Sequence, residues 1–137
     1  MADFVPTAEQ LATFQPMVDG WRSKTAAMSP EFRAAQRASM SDPSRRAERE
    51  AYFKDTIWPA CSKGDFMDMD GYKNMVKMME KRSDEKLGDH IKFSDDEVAG
   101  QFKIYTSIFG NAAGLSKEDF KKIEGLFKAA MATAAGQ

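Results

Sequence analysis

Six aspartates in two short segments are the residues of this chain that could ligate a metal ion. They are Asp65, Asp68 and Asp70 in the first segment, and Asp84, Asp89 and Asp95 in the second. Calcium takes about six to eight oxygen ligands, so closely spaced carboxylates are the residues that a calcium loop requires. The first segment departs from the D-x-D-x-D-G motif because Phe66 stands where its first aspartate belongs. We expect no tightly bound metal and no cofactor, with calcium as the candidate ion of a weak site.

The residues that could act as catalytic nucleophile or base are few. His90 is the single histidine, and it lies in a polar segment with no cysteine near it in sequence. A histidine acts as a general base only where the fold brings it a nucleophile or a substrate. Cys61 is the single cysteine, so neither a disulfide within the chain nor a Cys/His zinc site can form. We expect no catalytic residues and no enzyme activity, and a small helical enzyme that uses His90 remains the alternative.

Methionines supply the candidate binding surface. The chain has ten, and five of them cluster between residues 67 and 79. Met75 and Met79 lie on a helical stripe and are expected in the core, whereas Met67, Met69 and Met78 cannot all point inward. Methionine side chains are flexible and polarizable, so they can line an adaptable surface for a partner. We predict that Met67, Met69 and Met78 bind a protein or peptide helix, or a small hydrophobic ligand.

The elements that position these residues are predicted to be helices. Side chains that can accept hydrogen bonds from a first helical turn recur along the chain, and two of them form capping boxes, Thr7 with Gln10 and Ser94 with Glu97. No segment alternates polar and apolar residues over a strand's length. The sequence therefore predicts an all-α fold of about six helices. Pro16 is expected to kink or break the first helix, and Pro59 to follow the end of the third.

Apolar stripes at helical spacing predict the core. The expected core faces are Leu11, Phe14, Val18 and Trp21 in the first helix, and Tyr72, Met75, Val76 and Met79 in the fourth. In the last two helices, Phe102, Tyr105, Phe120, Ile123 and Phe127 are expected to form one shared core. The polar segment from Lys81 to Phe93 predicts a linker. The chain would then be a single domain, 1–137, that the linker divides into lobes 1–82 and 94–137.

A pattern of helix, short loop and helix recurs three times. In each copy an apolar residue precedes a capping residue and then an aromatic: Met28, Ser29 and Phe32; Met67, Asp68 and Tyr72; Leu115, Ser116 and Phe120. With this pattern the chain resembles the EF-hand superfamily, in the style of the calmodulin-like and sarcoplasmic calcium-binding proteins. The resemblance implies that loops pair through a short β contact at their eighth position, which Met28, Met67 and Leu115 would occupy.

The loops depart from that family at the calcium ligands. With Met67 at the eighth position, the second loop runs from Ala60 to Gly71, and a glycine stands where calcium needs a bidentate glutamate. The third loop offers Asp119 as its carboxylate. A fourth stretch, from Asp84 to Asp95, has the loop length and Ile91 at the eighth position, but Lys86 and Gly88 replace two ligands. The resemblance therefore implies a scaffold that has lost most of its calcium ligands.

Charge and composition exclude several classes of partner. Lys and Arg number 20 against 21 Asp and Glu, so the net charge of -1 predicts no nucleic-acid or membrane-surface binding. The start of the chain carries no signal-peptide pattern, and the single cysteine favours a reducing compartment, so we expect a cytoplasmic protein. The sequence therefore predicts a non-catalytic binding protein that works without calcium. A weak calcium sensor or buffer and an unrelated helical enzyme remain the alternatives.

Overall fold

The computed structural model describes residues 5–111 and 113–135, and side chains up to residue 130. Its helices are α1 (Ala8–Ala26), α2 (Pro30–Ser41), α3, α4 (Met69–Leu87), α5 (Asp95–Phe109) and α6 (Lys117–Ala135). Helix α3 comprises Pro43–Tyr52, the π-helical turn Phe53–Ile57 and Trp58–Cys61. The predicted all-α class is confirmed, because the described residues form no strand beyond two isolated bridges. Within these ranges, no helix is both long enough and apolar enough to span a bilayer.

The helix starts follow from local capping chemistry. Thr7 and Ser94 each accept a hydrogen bond from a first-turn amide, and both predicted capping boxes form. Ser29 and Asp42 cap α2 and α3 ahead of a proline in the first helical turn. A side-chain oxygen at this position satisfies an amide that has no partner within the helix. These starts were predictable because each depends on residues only two or three positions apart.

Pro16 does not break α1, and Pro59 lies inside α3 and does not follow its end as the sequence predicts. Helix α1 runs through Pro16 without a break. Pro16 and Ala12 both face solvent, so water can satisfy the Ala12 carbonyl that loses its partner. Helix α3 likewise continues past Pro59 to Cys61, after the π-helical turn in which Trp58 donates to the Phe53 carbonyl. The wider turn relieves the clash that a proline ring makes with the preceding turn.

The loops after α3 and α5 pair through their backbones. The Met67 amide donates to the Leu115 carbonyl at 2.8 Å, and the Leu115 amide donates to the Met67 carbonyl at 2.9 Å. Both side chains are fully buried. The resemblance implies a β contact at the eighth loop position, which both residues would occupy, but it does not say which loops pair; membership of the EF-hand superfamily stays a prediction. Met28 has no such bridge among the described residues, and its amide donates to Thr25 within the turn after α1.

Two glycines allow the paired loops to approach. Gly71 lies in the first turn of α4, where an added Cβ would overlap the carbonyl oxygen of Cys61. Gly114 has φ +149°, and an added Cβ there would overlap the carbonyl oxygen of Met67. Both obstacles are backbone atoms, which cannot move aside as a flexible side chain would. The junction between the loops therefore requires glycine at both positions.

Phe14 of α1 connects the last two helices at the centre of the core. Its ring is completely buried and lies 6.0 Å from the ring of Tyr105 in α5 and 4.9 Å from that of Phe127 in α6. The predicted core of α5 and α6 is therefore shared with α1. Phe120 is only half-buried and packs 5.0 Å from Phe53 of α3.

Other stripe predictions need correction at single positions. Phe14, Val18, Tyr72 and Met75 are buried as expected, whereas Met79 is 51% exposed. Leu126 and Met17, which were not assigned to the core, are buried. A stripe identifies the face of a helix that points inward, but the position of its neighbours decides where along that face the burial ends.

The predicted linker is shorter than expected. Helix α4 continues to Leu87 and ends at Gly88, whose φ of +81° suits the left-handed residue that closes a helix. Residues 88–94 then lead to α5. One cluster of buried residues includes side chains from both sides of this linker, among them Phe14, Tyr72 and Leu126. The two predicted lobes therefore share a core.

The glycine requirement at the loop junction can be tested by substitution. We expect Gly71→Ala to lower the free energy of unfolding by more than about 2 kcal/mol, because the new methyl group displaces the α3 backbone. Gly100→Ala is the matched control, because a Cβ there meets nothing within 4 Å. Alanine should stabilise that helical position by up to about 1 kcal/mol. Equal effects of the two substitutions in urea denaturation would contradict the close contact.

Candidate functional site

One member of the first group of predicted metal ligands, Asp68, caps a helix. Asp68 is the N-cap of α4, where its carboxylate accepts from the Gly71 amide at 2.8 Å and pairs with the Lys63 ammonium at 3.0 Å. The amide hydrogen bond and Lys63 lower the pKa of Asp68. Asp65 and Asp70 are exposed. In the loop between α5 and α6, Asp119 forms a capping box with Ser116. Its carboxylate accepts from the Ser116 amide at 2.9 Å, and its amide donates to the Ser116 hydroxyl.

Among the described residues of the paired loops, neither twelfth position presents a free carboxylate to a calcium ion. At the twelfth position of the loop from Ala60 to Gly71, the glycine has no carboxylate, and the Cys61 carbonyl occupies the space of a side chain. At the twelfth position of the other loop, Asp119 is buried and hydrogen-bonded to the backbone. Calcium would need several further oxygens in each case.

The second group of predicted ligands is partly brought together. Asp84, Asp89 and His90 offer ligand atoms within 4.8 Å of one another. The His90 ring contacts Asp84 through Nδ1 at 2.7 Å and Glu80 through Nε2 at 3.4 Å. Asp95 is the first residue of α5 and does not belong to this group. The interactions of His90 attach the linker to the last turns of α4, and within the described part of the chain its ring contacts carboxylates and no hydroxyl or thiol nucleophile.

The predicted methionine surface is not an exposed patch. Met67 is fully buried at the loop junction, so the expectation that it lies at the surface is wrong. The reason is the Met67–Leu115 backbone pair, which places the Met67 side chain inside the core. Met69 and Met78 are half-buried and pack against the same core, and the Met78 sulfur lies 3.6 Å from the Cys61 sulfur. A binding role for Met69 and Met78 stays a prediction.

A feature suited to ligand binding is an open cavity of about 380 Å³, which we name the central cleft. Residues from all six helices and from the linker line it. Its apolar lining consists of Met17, Trp21, Phe32, Phe53, Tyr72, Met75, Val76, Met79, Ile91, Phe93, Tyr105, Phe120, Ile123 and Phe127. The cleft is therefore surrounded mainly by methionine and aromatic side chains. Pockets of this size and lining are typical of small-molecule sites.

The floor of the cleft holds a small number of polar groups. Tyr72 donates its hydroxyl hydrogen bond to the Gln101 side-chain carbonyl at 2.8 Å. Burial raises the pKa of both Tyr72 and Tyr105 well above the usual value for tyrosine. Both phenols therefore stay neutral across the physiological range and carry no charge into the cleft. An apolar ligand would meet these neutral phenols and the Tyr72–Gln101 pair, which can orient it, while Glu80 and His90 also line the cleft.

The linker forms one edge of the cleft. Ser83 donates to the Asp89 carbonyl at 2.7 Å, and His90 contacts Glu80 and Asp84, so the linker is attached to α4. At the other end, Lys24 lies 5.3 Å from the centre of the Phe93 ring and pairs with Glu97 at 3.2 Å. These contacts hold Ile91 and Phe93 against the cleft.

The cleft is lined by residues that the sequence analysis placed in different parts of the structure, the core and the linker. Trp21, Met75 and Phe127 belong to predicted core stripes, and His90 belongs to the predicted linker. Nothing in their spacing marks them as parts of one cavity. The useful signal was the number of aromatic residues on predicted core faces, because bulky rings that meet from several helices can leave a gap between them.

Calcium titration tests the conclusion drawn from the loops. We expect isothermal titration to detect no micromolar calcium binding, because neither paired loop presents the required oxygen ligands. The double variant Asp84→Ala with Asp89→Ala removes two carboxylates of the cluster around His90. Micromolar binding that persists in this variant would show that a paired loop binds calcium and would contradict the prediction. Binding abolished in the variant would assign the ion to the cluster.

The Asp68 cap should make stability depend on pH. We expect Asp68→Ala to cost about 1 kcal/mol at neutral pH through the lost cap. The folded-state pKa of Asp68 is lowered, so its contribution is present above the unfolded-state pKa and is lost as pH falls through the folded-state value. Unfolding measured at neutral pH and at about pH 2 should show the cost shrinking. Asp70→Ala, in the same turn, is the control, and an Asp68→Ala cost independent of pH would contradict the assignment.

No protein-family model, curated protein or solved structure matches this chain. The function of the central cleft is therefore inferred from its own residues.

Proposed function

We propose that this is a non-catalytic binding protein that takes a small hydrophobic ligand in the central cleft. The observation that carries the proposal is the cavity of about 380 Å³ with its methionine and aromatic lining. Transfer of an apolar ligand from water to such a lining is favourable by about 25 cal/mol for each Å² of apolar surface buried. The Tyr72–Gln101 pair on the floor offers a polar contact that can fix the orientation of a bound molecule.

The shape of the cleft favours a small molecule over a partner helix. Helices with their side chains measure about 10–12 Å across, and a helix that docks in a groove needs an open trough along several turns. Here all six helices and the linker contribute lining residues, so protein surrounds the cleft on several sides. A peptide partner, which the sequence also predicts, remains the alternative occupant.

The proposed binding does not require calcium. In sensors of the EF-hand kind, ion binding changes the angle between two helices and opens an apolar groove. In this chain the cleft is open while Gly71 and the capped Asp119 leave the paired loops without calcium ligands. The Met67–Leu115 pair supports the proposal that the scaffold is a degenerate EF-hand-like one. A buried lone cysteine, Cys61, is consistent with the proposed cytoplasmic location.

A neutral apolar dye tests the proposal. We expect Nile red to bind with micromolar affinity and equal fluorescence in calcium and in chelator, because the cleft is formed without an ion. Met79→Glu should weaken binding at least about tenfold, since the change places a charge at the wall of the cleft. Met79 is half exposed, so the folded state tolerates the carboxylate.

The matched control for this experiment is Val5→Glu, which adds the same charge at an exposed apolar residue that is not part of the cleft lining. Val5→Glu should bind the dye as the native protein does. Absence of dye binding, or equal loss in the two variants, would overturn the proposal. Binding seen only with calcium would favour the sensor instead.

A further inference from the structure

A second cavity, of about 270 Å³, lies beside the central cleft between α2, α3 and α4, and we name it the basic portal. Four residues line both cavities: Gln36, Phe53, Met79 and Ser83. The two cavities are therefore adjacent and share a wall. Met79 is half exposed and unbranched, so a change in its rotamer is sufficient to alter that wall.

The lining of the basic portal combines apolar and cationic side chains. Tyr52, Ile57 and Leu87 contribute apolar surface. Its charged residues are Arg45, Arg49, Arg82, Lys86 and Glu48. Four cations thus stand against one carboxylate, in a chain whose net charge is -1. The positive charge is a local concentration in the basic portal.

The four cations keep most of their donors available. Among the described residues, none of them forms an ion pair with a carboxylate. One Arg49 nitrogen donates to the Ser39 carbonyl and hydroxyl, both at 3.1 Å, and the Arg82 guanidinium stacks 4.4 Å from the centre of the Tyr52 ring. A guanidinium presents five N–H donors in a planar fork that matches a carboxylate. The portal can therefore receive an anion without first breaking a salt bridge.

We infer that the ligand of the central cleft is an amphipathic anion, a monomeric long-chain carboxylate. Its apolar chain would lie against the methionine and aromatic lining of the central cleft, and its carboxylate would lie at the basic portal. This inference rests on the proposed function and adds the chemical class of the ligand. The adjacency of an apolar cavity and a cation-rich cavity carries it, because a neutral ligand gains no charge–charge attraction from the four cations.

The shape of the portal distinguishes this ligand from other anions. A membrane surface or a nucleic acid is contacted by cations spread over a broad exposed face. Here the cations surround a cavity with an apolar lining, and that cavity adjoins a second apolar cavity. A single anionic group with a hydrocarbon tail satisfies both linings.

Three ligands with the same hydrocarbon chain and different head groups test the inference: laurate, dodecanol and dodecyltrimethylammonium. Binding to the full-length protein is followed below micellar concentrations by intrinsic fluorescence, since Trp21 lines the cleft, and by the shift in melting temperature. We expect laurate to bind at least about tenfold more tightly than the other two, the size expected for one charge-assisted contact.

A double variant isolates the cations of the portal. Arg45→Gln with Lys86→Gln removes two portal charges that make no ion pair among the described residues. Its matched control, Arg37→Gln with Lys54→Gln, removes two exposed cations that do not line the portal. The portal variant should lose about tenfold in laurate affinity and keep its affinity for dodecanol, whereas the control should keep both. Unchanged melting temperatures of the free variants would confirm that both are folded.

The remaining outcomes of these experiments would contradict the inference, the proposed function or both. Equal affinity for laurate and dodecanol, or equal laurate affinity in the two double variants, would overturn the inference and leave the proposed function standing. Failure of all three ligands to bind would overturn both. Binding to phosphatidylglycerol vesicles without binding of monomeric laurate would assign the basic portal to a membrane surface and overturn the inference.

Discussion

Two backbone hydrogen bonds between Met67 and Leu115 join the loops from which four of the six helices extend. Helices α3 and α4 meet at the first loop, and α5 and α6 meet at the second, so this junction fixes where each pair begins to diverge. Both residues are fully buried, and a buried amide left without a partner costs about 1–3 kcal/mol. The pair is therefore held by the surrounding core as well as by its own hydrogen bonds. The glycines at 71 and 114 allow the backbones to come this close.

The cleft is a consequence of that arrangement. Helices that diverge from a fixed junction leave a space between them, and bulky side chains determine how much of it is filled. Phe14 fills the part between Tyr105 and Phe127. Elsewhere the rings of Trp21, Phe53 and Phe93 line a space that they do not fill, and a cavity remains. An apolar cavity lined in this way loses dispersion contacts compared with a filled core, and a bound apolar ligand would restore them.

Local signals in the sequence predicted the helices well and the site poorly. Caps such as Thr7 and Ser94 depend on neighbours within one turn, so their chemistry is visible in the sequence. A β contact at Met67 and Leu115 was expected only through the resemblance to the EF-hand superfamily, which did not specify that these two loops pair with each other. The burial of Met67 and the exposure of Met79 depend on where distant helices end, which no spacing within α4 reveals. The lining of the cleft is a long-range property of the same kind.

The π-helical turn at Phe53–Ile57 rotates the second part of α3 about the helix axis, relative to where a regular α-helix would place it. A π turn contains one residue more than an α turn, and one residue corresponds to about 100° of rotation about the axis. Trp58 and Cys61 are buried in the core beyond this turn, while Tyr52 and Phe53 face the cavities at its start. Deletion of one residue here would convert α3 to a regular helix and turn one of these two groups away from its neighbours. The extra residue thus brings Phe53 and Trp58, five positions apart, toward the same side of α3, where their rings lie 6.1 Å apart and the helix contacts both the core and the cavities.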